Sequence, residues 1–346
     1  MKYNFCTLFD SGYLDRGIPL YKSLMECMDD FTLYVYAFDQ KAYNVLLDLK
    51  YEKMVVLFID DIEDEKMRLA RSQRSRAEYC WTCTPIIIED ALDRFCLDNC
   101  TYIDADMYFF ADPSCLIQEM LDSDCDVLIT KHGFPNNREG KINERKSGKY
   151  CVQFNTFLNK IESRKILTTW KEQCLECCTS KPKDGKFGDQ KYLEDWTRKY
   201  QRVHELTNLG AGIANWNVTR FRLERMAEGV PIIMERATGK RSPLIFYHFH
   251  GLEELSGGRI DIKVYRHRGK VDNKLIEFVY GNYLNAFREA RKILTEKYDI
   301  RYDKREDAYS VKTVKTKAKK SLEERYYQII RMVKARIYRK KDIYYI

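Results

Sequence analysis

The feature that most constrains the fold is the alternation of short apolar segments with helical ones over the first sixty residues. Apolar, strand-like segments lie at residues 2–9, 31–38 and 54–59, and helical patterns lie between them. Such alternation is typical of a parallel α/β sheet. The strands are apolar on both faces, as expected for strands that are covered on two sides. The sequence therefore predicts a mixed, mostly parallel central sheet flanked by helices.

The net charge of +8 is concentrated at the C-terminal end of the chain. Residues 311–346 hold twelve basic and three acidic side chains, a net charge of +9, whereas residues 1–310 carry −1. An almost neutral body argues against a general nucleic-acid binder. We therefore expect one main domain over residues 1–300 and a basic, helical appendage over residues 301–346.

The basic appendage also carries apolar residues at helical spacing, namely Leu322, Ile329, Ile330, Val333 and Ile337. A basic amphipathic helix of this kind can lie on an anionic membrane surface, and a helix packed on the body is the alternative. The sequence shows neither an apolar run of roughly 20 residues, as a membrane span needs, nor a signal peptide. We therefore expect a cytoplasmic protein that associates peripherally with a membrane.

The twelve cysteines raise the question of disulfides or a metal site. Cys80 and Cys83 form a C-x-x-C pair, and Cys174, Cys177 and Cys178 cluster on a predicted helix. Structural zinc sites usually combine two well-separated pairs of ligands. In a chain without an export signal, thiols are more often reduced. We expect these cysteines to act as small buried apolar side chains.

Two carboxylates, Asp104 and Asp106, follow a short apolar strand at residues 101–103. On a strand, residues i and i+2 point to the same face, so these carboxylates repel each other unless a cation or protons compensate. Mg²⁺ and Mn²⁺ suit a site shared by carboxylates and phosphates. Because ligand sites in open α/β sheets gather at the carboxyl ends of strands, the pair predicts a metal site. A solvated strand end is the alternative.

Five segments, in order along the chain, resemble motifs of GT-A-fold glycosyltransferases, in particular bacterial enzymes similar to glycosyltransferase family 8. They are RSRAEYCWTCTP (74–85), YIDADMYFF (102–110), GKFGDQKYLEDW (185–196), LGAGIANWN (209–217) and HFHG (248–251). The resemblance extends along most of residues 1–290. It implies a Rossmann-like GT-A fold and transfer of a sugar from a nucleotide-diphosphate donor, favouring a UDP-sugar, to a glycan or glycolipid acceptor.

The resemblance implies that Asp104, Asp106 and His248 hold a Mn²⁺ or Mg²⁺ ion. His248 begins the H-x-x-G segment that closes the metal and diphosphate site in the similar enzymes. His250 is the alternative ligand, since residues two apart on a strand share a face. Such an ion would neutralise the diphosphate as it leaves. Gly251 would let the backbone approach a phosphate closely.

The sequence departs from the family pattern directly after the H-x-x-G segment. The similar enzymes continue into Lys-Pro-Trp, whereas this chain has LEEL at residues 252–255. The lysine that binds the diphosphate is therefore missing from its usual position. Lys263, Arg259 and an arginine further upstream are the candidate replacements.

Asp189 and Gln190 are the candidate catalytic residues. In similar retaining enzymes a Gln or Asp here lies next to the reacting sugar carbon, so the resemblance implies retention of the anomeric configuration. Asp189 would bind donor hydroxyls or orient the acceptor, and Gln190 would lie near the β-face of the sugar. Alternatively, Asp189 is the base of an inverting enzyme or the N-cap of a following helix.

The expected donor contacts are Thr7, Asp10, Tyr13, Arg74, Arg76, Asp104, Asn155, His250 and Gly251. The resemblance places the first three beside the nucleotide base and ribose, although an ordinary turn is the alternative. Arg74 and Arg76 would pair with the donor phosphate or a carboxylate, because guanidinium groups suit bidentate recognition. Asn155 would hydrogen-bond to hydroxyls of the donor or acceptor.

Two other classes of protein fit parts of the pattern. A nucleotide-sugar-binding or glycan-binding protein of the same fold, without catalysis, would explain the departure after Gly251. A metal-dependent nucleotidyltransferase or phosphohydrolase would also use paired carboxylates, but the N-terminal region lacks a glycine-rich phosphate loop. The sequence therefore favours a metal-dependent glycosyltransferase.

Overall fold

The structure of the protein is a computed structural model that describes residues 1–182, 185–255, 258–302 and 341–345. The helices are α1 (Leu14–Cys27), α2 (Gln40–Leu49), α3 (Glu65–Gln73), α4 (Arg76–Arg94), α5 (Ser114–Asp122), α6 (Arg138–Ser147), α7 (Ile161–Glu176), α8 (Trp196–Lys199) and α9 (Asn273–Tyr298). The strands are β1 (Tyr3–Phe9), β2 (Phe31–Ala37), β3 (Met54–Phe58), β4 (Asn99–Ile103), β5 (Met107–Phe109), β6 (Val127–Lys131), β7 (Tyr150–Leu158), β8 (Val203–Glu205), β9 (Ile213–Ala214), β10 (Phe221–Ala227), β11 (Val230–Glu235), β12 (Arg241–Pro243), β13 (Phe246–His248), β14 (Glu253–Leu255), β15 (Arg259–Asp261) and β16 (Ile343–Tyr345).

The central sheet has the strand order β3-β2-β1-β4-β7-β6-β8. Its strands run parallel except β7, which is antiparallel to both β4 and β6. The predicted mixed, mostly parallel sheet flanked by helices is therefore confirmed. The chain leaves β1 towards β2 and β3 and returns to its other side at β4. This reversal of strand order opens a crevice at the carboxyl ends of β1 and β4.

Both faces of the central sheet are buried, which explains why its strands are apolar throughout. Phe5 packs into a core that includes residues of α1 and α9, such as Ile18 and Leu294. Its neighbour Cys6 points to the opposite face and packs with residues of α4 and α7, such as Ile87. Successive side chains on a strand alternate between faces, so each strand contributes to two cores.

A second, three-stranded sheet places the C-terminal motif beside the carboxylates. Its order is β5-β13-β9, and His248 of β13 lies opposite Met107 of β5 and Ala214 of β9. The backbone N–H of Phe249 donates to the carbonyl of Asp106 at 2.8 Å. The pairing of β13 with β5 therefore fixes the position of His248 relative to Asp106.

The last described residues differ from the predicted helical appendage. Residues 343–345 form β16, which pairs antiparallel with β15 in a small sheet on the body of the protein. The apolar positions of the predicted amphipathic helix, 322–337, lie outside the described residues. Among the helices that the structure describes, none is long and apolar enough to cross a membrane.

All twelve cysteines are free thiols, and seven of them are buried. Burial raises the pKa of Cys83 and Cys174 well above the usual thiol value, so these two side chains are protonated. In the described part of the chain, the cysteines form no group with metal-binding spacing. The burial of seven of the twelve agrees with the expectation that these cysteines act as small buried apolar side chains.

Candidate functional site

The predicted carboxylates lie where β4 ends, at the reversal of strand order. The N–H of Asp104 donates to the carbonyl of Gln153 on β7 at 3.2 Å, and the chain then turns through a hydrogen bond from Met107 N–H to Asp104 O at 3.2 Å. Asp106 is held from the other side by Phe249, as described above. The turn that carries both carboxylates is therefore fixed by two sheets.

Asp106, His248 and His250 form a group that fits a divalent cation. One ligand atom from each lies within 4.8 Å of the others. The Nε2 atom of His248 is 3.0 Å from Asp106 Oδ1. The Nδ1 atom of His248 is 2.9 Å from the Oε1 atom of Gln153, which can only accept, so Nδ1–H donates and Nε2 is the nitrogen that faces Asp106. One carboxylate and two imidazoles are a mixed oxygen and nitrogen donor set that suits a first-row divalent ion.

Asp104 lies beside this group rather than within it. Its Oδ2 atom is 3.6 Å from His248 Nε2, and its Oδ1 atom accepts a hydrogen bond from Tyr102 at 2.9 Å. The sequence had placed Asp104 among the three ligands and His250 as an alternative. The structure instead brings His250 together with Asp106 and His248. Asp104 remains a neighbour with one oxygen already committed to Tyr102.

Burial and mutual charge set the ionisation of these groups. Burial raises the pKa of Asp104 to about 6, despite the opposing charge of His248. Burial also acts to raise the pKa of Asp106, but His248 and His250 outweigh it and lower that pKa to about 2. His250 is exposed to solvent, but desolvation by the groups packed around its ring, together with His248, lowers its pKa to about 4. In neutral solution Asp106 is therefore charged and His250 is a neutral imidazole, as metal binding requires.

A cavity of about 500 Å³ opens beside this group. Polar groups lining it include Asp104, Asp189, His248 and His250. Its aromatic and cationic lining is given by Trp81, Phe134, Phe187, Trp216, Lys146 and Lys263. Four of the five histidines of the chain line this one cavity. A cavity of this size with a few convergent polar groups is typical of a ligand site.

Trp216 organises the imidazoles of the cavity, a role that sequence reasoning missed. Its ring packs edge-to-face on His132, His248 and His250, with centroid distances of 5.5, 5.4 and 5.5 Å. Its indole N–H donates to the carbonyl of His132 at 2.8 Å. His132 and Gln153 were also missed, because isolated polar residues in predicted strands give no local signal. Trp216 lies in the segment 209–217, and that segment was the only available pointer to it.

Asp189 and Gln190 both line the cavity. Asp189 is buried, and burial together with the charge of Asp104 raises its pKa to about 7. It precedes a short 3-10 helix (Gln190–Asp195), but its side chain makes no capping hydrogen bond there. The helix-cap alternative for Asp189 is therefore not supported. The side-chain amide of Gln190 donates to the carbonyl of Ser147 at the end of α6.

The structure does not bring Arg74 or Arg76 into the lining of this cavity. The guanidinium of Arg74 donates to the carbonyls of Cys174, at 2.7 Å, and Leu175. Arg74 therefore ties the start of α4 to the end of α7. The Nε atom of Arg76 is 2.6 Å from Asp10 Oδ2, so these two predicted donor contacts pair with each other.

Three further predicted donor contacts also lie outside the cavity lining. Thr7 and Asn155 are fully buried in the central sheet, and Asn155 Oδ1 accepts from the N–H of Thr130 at 3.3 Å. The ring of Tyr13 lies 4.5 Å from the guanidinium carbon of Arg16. Gly251 does line the cavity, and its φ of +71° favours glycine. The donor roles of all these residues stay predictions.

Between pH 6.5 and 8, the metal-free protein should lose stability from this site as the pH rises. The folded-state pKa of Asp189, about 7, lies above the ordinary 3.8, and that of His248 is also raised, by Asp106 against the effect of burial. The folded state then holds more protons than the unfolded state, so stability present at low pH is lost as the pH passes the folded pKa values. His250 acts in the opposite direction near pH 6.5, because its folded-state pKa is lowered to about 4 from the ordinary 6.5, so the unfolded state holds more of its proton. This contribution fades as the pH rises through the window and is common to both proteins compared below.

Thermal or urea unfolding of the metal-free protein at pH 6.5 and 8 checks this prediction against Asp189→Asn. The pH dependence of the variant should be flatter by at most about 1.4 kcal/mol per pH unit. Equal slopes for the two proteins would contradict it.

The chain is similar in sequence to two proteins of Bacillus subtilis. The chain is 32% identical to the uncharacterized protein YfnF of Bacillus subtilis (strain 168) over 257 residues, 73% of this chain and 82% of YfnF. It is 29% identical to YfnD of the same organism over 254 residues, 72% of this chain and 78% of YfnD. The chain belongs to the family of YfnF.

No family model matches the chain. Similar solved structures include mouse xyloside xylosyltransferase 1 in its apo form, with 10% identity, a TM-score of 0.45, and coverage of 72% of this chain and 98% of that one. Another is the galactosyltransferase LgtC in complex with donor and acceptor sugar analogues, with 12% identity, a TM-score of 0.42, and coverage of 72% and 87%.

Proposed function

We propose that the protein is a metal-dependent glycosyltransferase of the GT-A type. It would move a sugar from a nucleotide-diphosphate donor, most simply a UDP-sugar, to a glycan or lipid-linked acceptor. The observation that carries this proposal is the group formed by Asp106, His248 and His250, whose two imidazoles line one cavity together with Asp104 and Asp189. These residues come from three separate sequence segments, each of which resembles a motif of such enzymes.

The residues around the cavity suggest a division of roles. Asp106, His248 and His250 would hold Mn²⁺ or Mg²⁺, which supplies positive charge to the leaving diphosphate. Asp104, oriented by the hydroxyl of Tyr102, would accept hydrogen bonds from ribose or sugar hydroxyls. Asp189 would position the sugar that is transferred. The likeness of the segment 185–196 to retaining enzymes favours retention of the anomeric configuration.

The aromatic lining of the cavity suits the apolar faces of sugar rings. Trp81, Phe187 and Trp216 line the same space as the carboxylates. Aromatic rings bury apolar surface at low cost in side-chain entropy, and an indole N–H or a neighbouring amide adds polar contacts. This combination supports a saccharide rather than a purely apolar ligand.

Lys263 is the best-supported replacement for the missing diphosphate-binding lysine. It lines the cavity with His250 and Gly251, whereas Arg259 does not. Its Nζ atom is 2.8 Å from Glu253 Oε2, so the ammonium group is held at the rim by an ion pair. A single lysine is a point charge that suits a phosphate without fixing its orientation.

Replacing Lys263 with alanine should raise the KM for the donor by roughly 10- to 100-fold, the equivalent of one charge-assisted contact. The value of kcat should change less, because the contact is made before and during transfer. Steady-state kinetics with varied donor concentration measure both. Lys274→Ala, an exposed lysine at the start of α9, is the matched control. An unchanged donor KM in Lys263→Ala would rule out this role.

Incubation with a panel of UDP-sugars and Mn²⁺ tests the proposed function. We expect release of UDP that stops on addition of EDTA and resumes when Mn²⁺ is added back. Release of pyrophosphate would instead indicate a nucleotidyltransferase, and donor binding without turnover would indicate a binding protein. Absence of turnover with UDP-, GDP- and TDP-sugars would contradict the proposal.

A further inference from the structure

The turn that carries Lys263 has a backbone conformation that needs external support. Lys263 has a φ of +55°, in the left-handed region that side chains with a Cβ rarely adopt. Its own N–H donates to Asp261 Oδ1 at 3.0 Å. Residues in such conformations persist only where surrounding contacts hold them.

Asp342, which is distant in sequence, supplies that support on both sides of Lys263. Its carbonyl accepts a hydrogen bond from the N–H of Ile262 at 2.9 Å. Its Oδ1 atom accepts another from the N–H of Tyr265 at 2.8 Å. Asp342 is fully buried, with 0% of its surface exposed. The two bonds bracket Lys263, so the turn is closed by one residue.

Asp342 is itself anchored through β16. Residues 343–345 pair with β15, and the ring of Tyr344 packs on Tyr280 of α9 with a centroid distance of 6.2 Å. The Nε atom of Arg266 lies 3.7 Å from the second oxygen of Asp342. These contacts pack β16, and with it Asp342, against β15 and α9.

Lys263, whose turn Asp342 holds, also lines the cavity. The side chain of Lys263 reaches the cavity lining beside His250 while only 27% of it is exposed. We propose that Asp342 is a positioning residue that holds the Lys263 turn so that the ammonium group meets the diphosphate of the donor. This inference rests on the proposed function and adds a residue that no sequence motif indicates.

The test combines Asp342→Ala and Lys263→Ala in a double-mutant cycle, with UDP in the presence of Mn²⁺ as the probe. Isothermal titration calorimetry should show UDP affinity reduced roughly ten-fold by either change. The double variant should bind no more weakly than Lys263→Ala alone, because both changes remove the same contact. Asp342→Asn should restore affinity, since its Oδ1 atom can still accept from Tyr265.

Hydrogen exchange gives a second readout that does not depend on UDP. In Asp342→Ala, the amide of Tyr265 should exchange faster because its side-chain acceptor is gone, and in Asp342→Asn it should not. The amide of Ile262, which bonds to the backbone carbonyl of residue 342, reports whether that segment stays in place. Asp64→Ala is the matched control: Asp64 accepts from the N–H of Met67 at 2.8 Å at the start of α3, away from the cavity lining. It should lower stability without changing UDP affinity. If Asp342→Ala fails to fold, Asp342→Ser takes its place. The serine side chain is shorter than that of aspartate, so its hydroxyl should not reach the N–H of Tyr265.

Additive losses in the cycle, or unchanged UDP affinity in Asp342→Ala, would overturn the positioning role and leave the proposed function intact. Unchanged exchange at Tyr265 in Asp342→Ala would also overturn it. A wild-type protein that binds no UDP would refute the proposed function and the diphosphate part of this inference together. The exchange data would then still decide whether Asp342 holds the turn.

Discussion

Replacing Asp106 with alanine should abolish Mn²⁺-dependent donor binding and lower kcat/KM by roughly 1000-fold or more, since a bound cation contributes several kcal/mol of charge stabilisation. Asp106 supplies the one carboxylate of the group that includes His248 and His250. Its pKa, which the two imidazoles lower to about 2 against the effect of burial, keeps it charged at any working pH. Its removal leaves only neutral ligands. Donor titrations with varied Mn²⁺ measure the loss.

Asp29→Asn is the control for this variant, because Asp29 is an exposed carboxylate on the turn before β2. It should leave both Mn²⁺ dependence and kcat/KM unchanged. Circular dichroism would show whether Asp106→Ala remains folded. If a folded Asp106→Ala protein keeps Mn²⁺-dependent donor binding, the assignment of the metal site is wrong.

Replacing Asp189 with asparagine should lower kcat by roughly 100-fold, within the range for a positioned acid, base or orienting group. Asp189 lines the cavity beside Asp104 but lies outside the group that fits the cation. Asparagine keeps the volume and removes the charge. The affinity for UDP should therefore stay within about a factor of three, because the lost contact is to the sugar rather than the diphosphate.

Single-turnover and steady-state kinetics, with UDP binding measured separately, resolve these two effects. Asp195→Asn provides the matched control, since Asp195 is an exposed carboxylate in the same 3-10 helix. An unchanged kcat in Asp189→Asn would remove it from the catalytic residues. A parallel fall in UDP affinity would instead place Asp189 among the groups that bind the diphosphate.

The central sheet could be predicted because its evidence is local. Each strand from β1 to β4 is a short apolar run with turn residues at its end, and the intervening helices show their own spacing. The position of Asp104 and Asp106 at a strand end follows from the same local pattern. His248 is the partner that is distant in sequence. It was predicted from the family motif that the segment 248–251 resembles, because no local pattern indicates it.

The grouping of side chains around Asp106 could not be predicted in the same way. It depends on the pairing of β13 with β5, a contact between segments about 140 residues apart. That pairing brings His248 and His250 close to Asp106. Gln153 likewise orients the ring of His248 only because the fold brings these two distant residues into hydrogen-bonding contact.

Two placements depend on tertiary contacts that no local pattern shows. Arg74 belongs to a segment that resembles one found upstream of the Asp-x-Asp motif in similar enzymes, and its guanidinium donates to carbonyls at the end of α7. Residues 343–345 follow the predicted helical positions 322–337, and they pair with β15. In both places the partner lies far along the sequence, so no local feature reveals it.

Calorimetric titration of UDP and UMP, with Mn²⁺ and with EDTA, tests the central claim most directly. A site built from Asp106, His248 and His250 binds the diphosphate through the cation. We therefore predict that, in the presence of Mn²⁺, UDP binds at least about ten-fold more tightly than UMP. This difference corresponds to at least one additional charge-assisted contact made by the second phosphate. This preference should disappear in EDTA. Equal affinities for UDP and UMP in Mn²⁺, or tight UDP binding that persists in EDTA, would contradict the account.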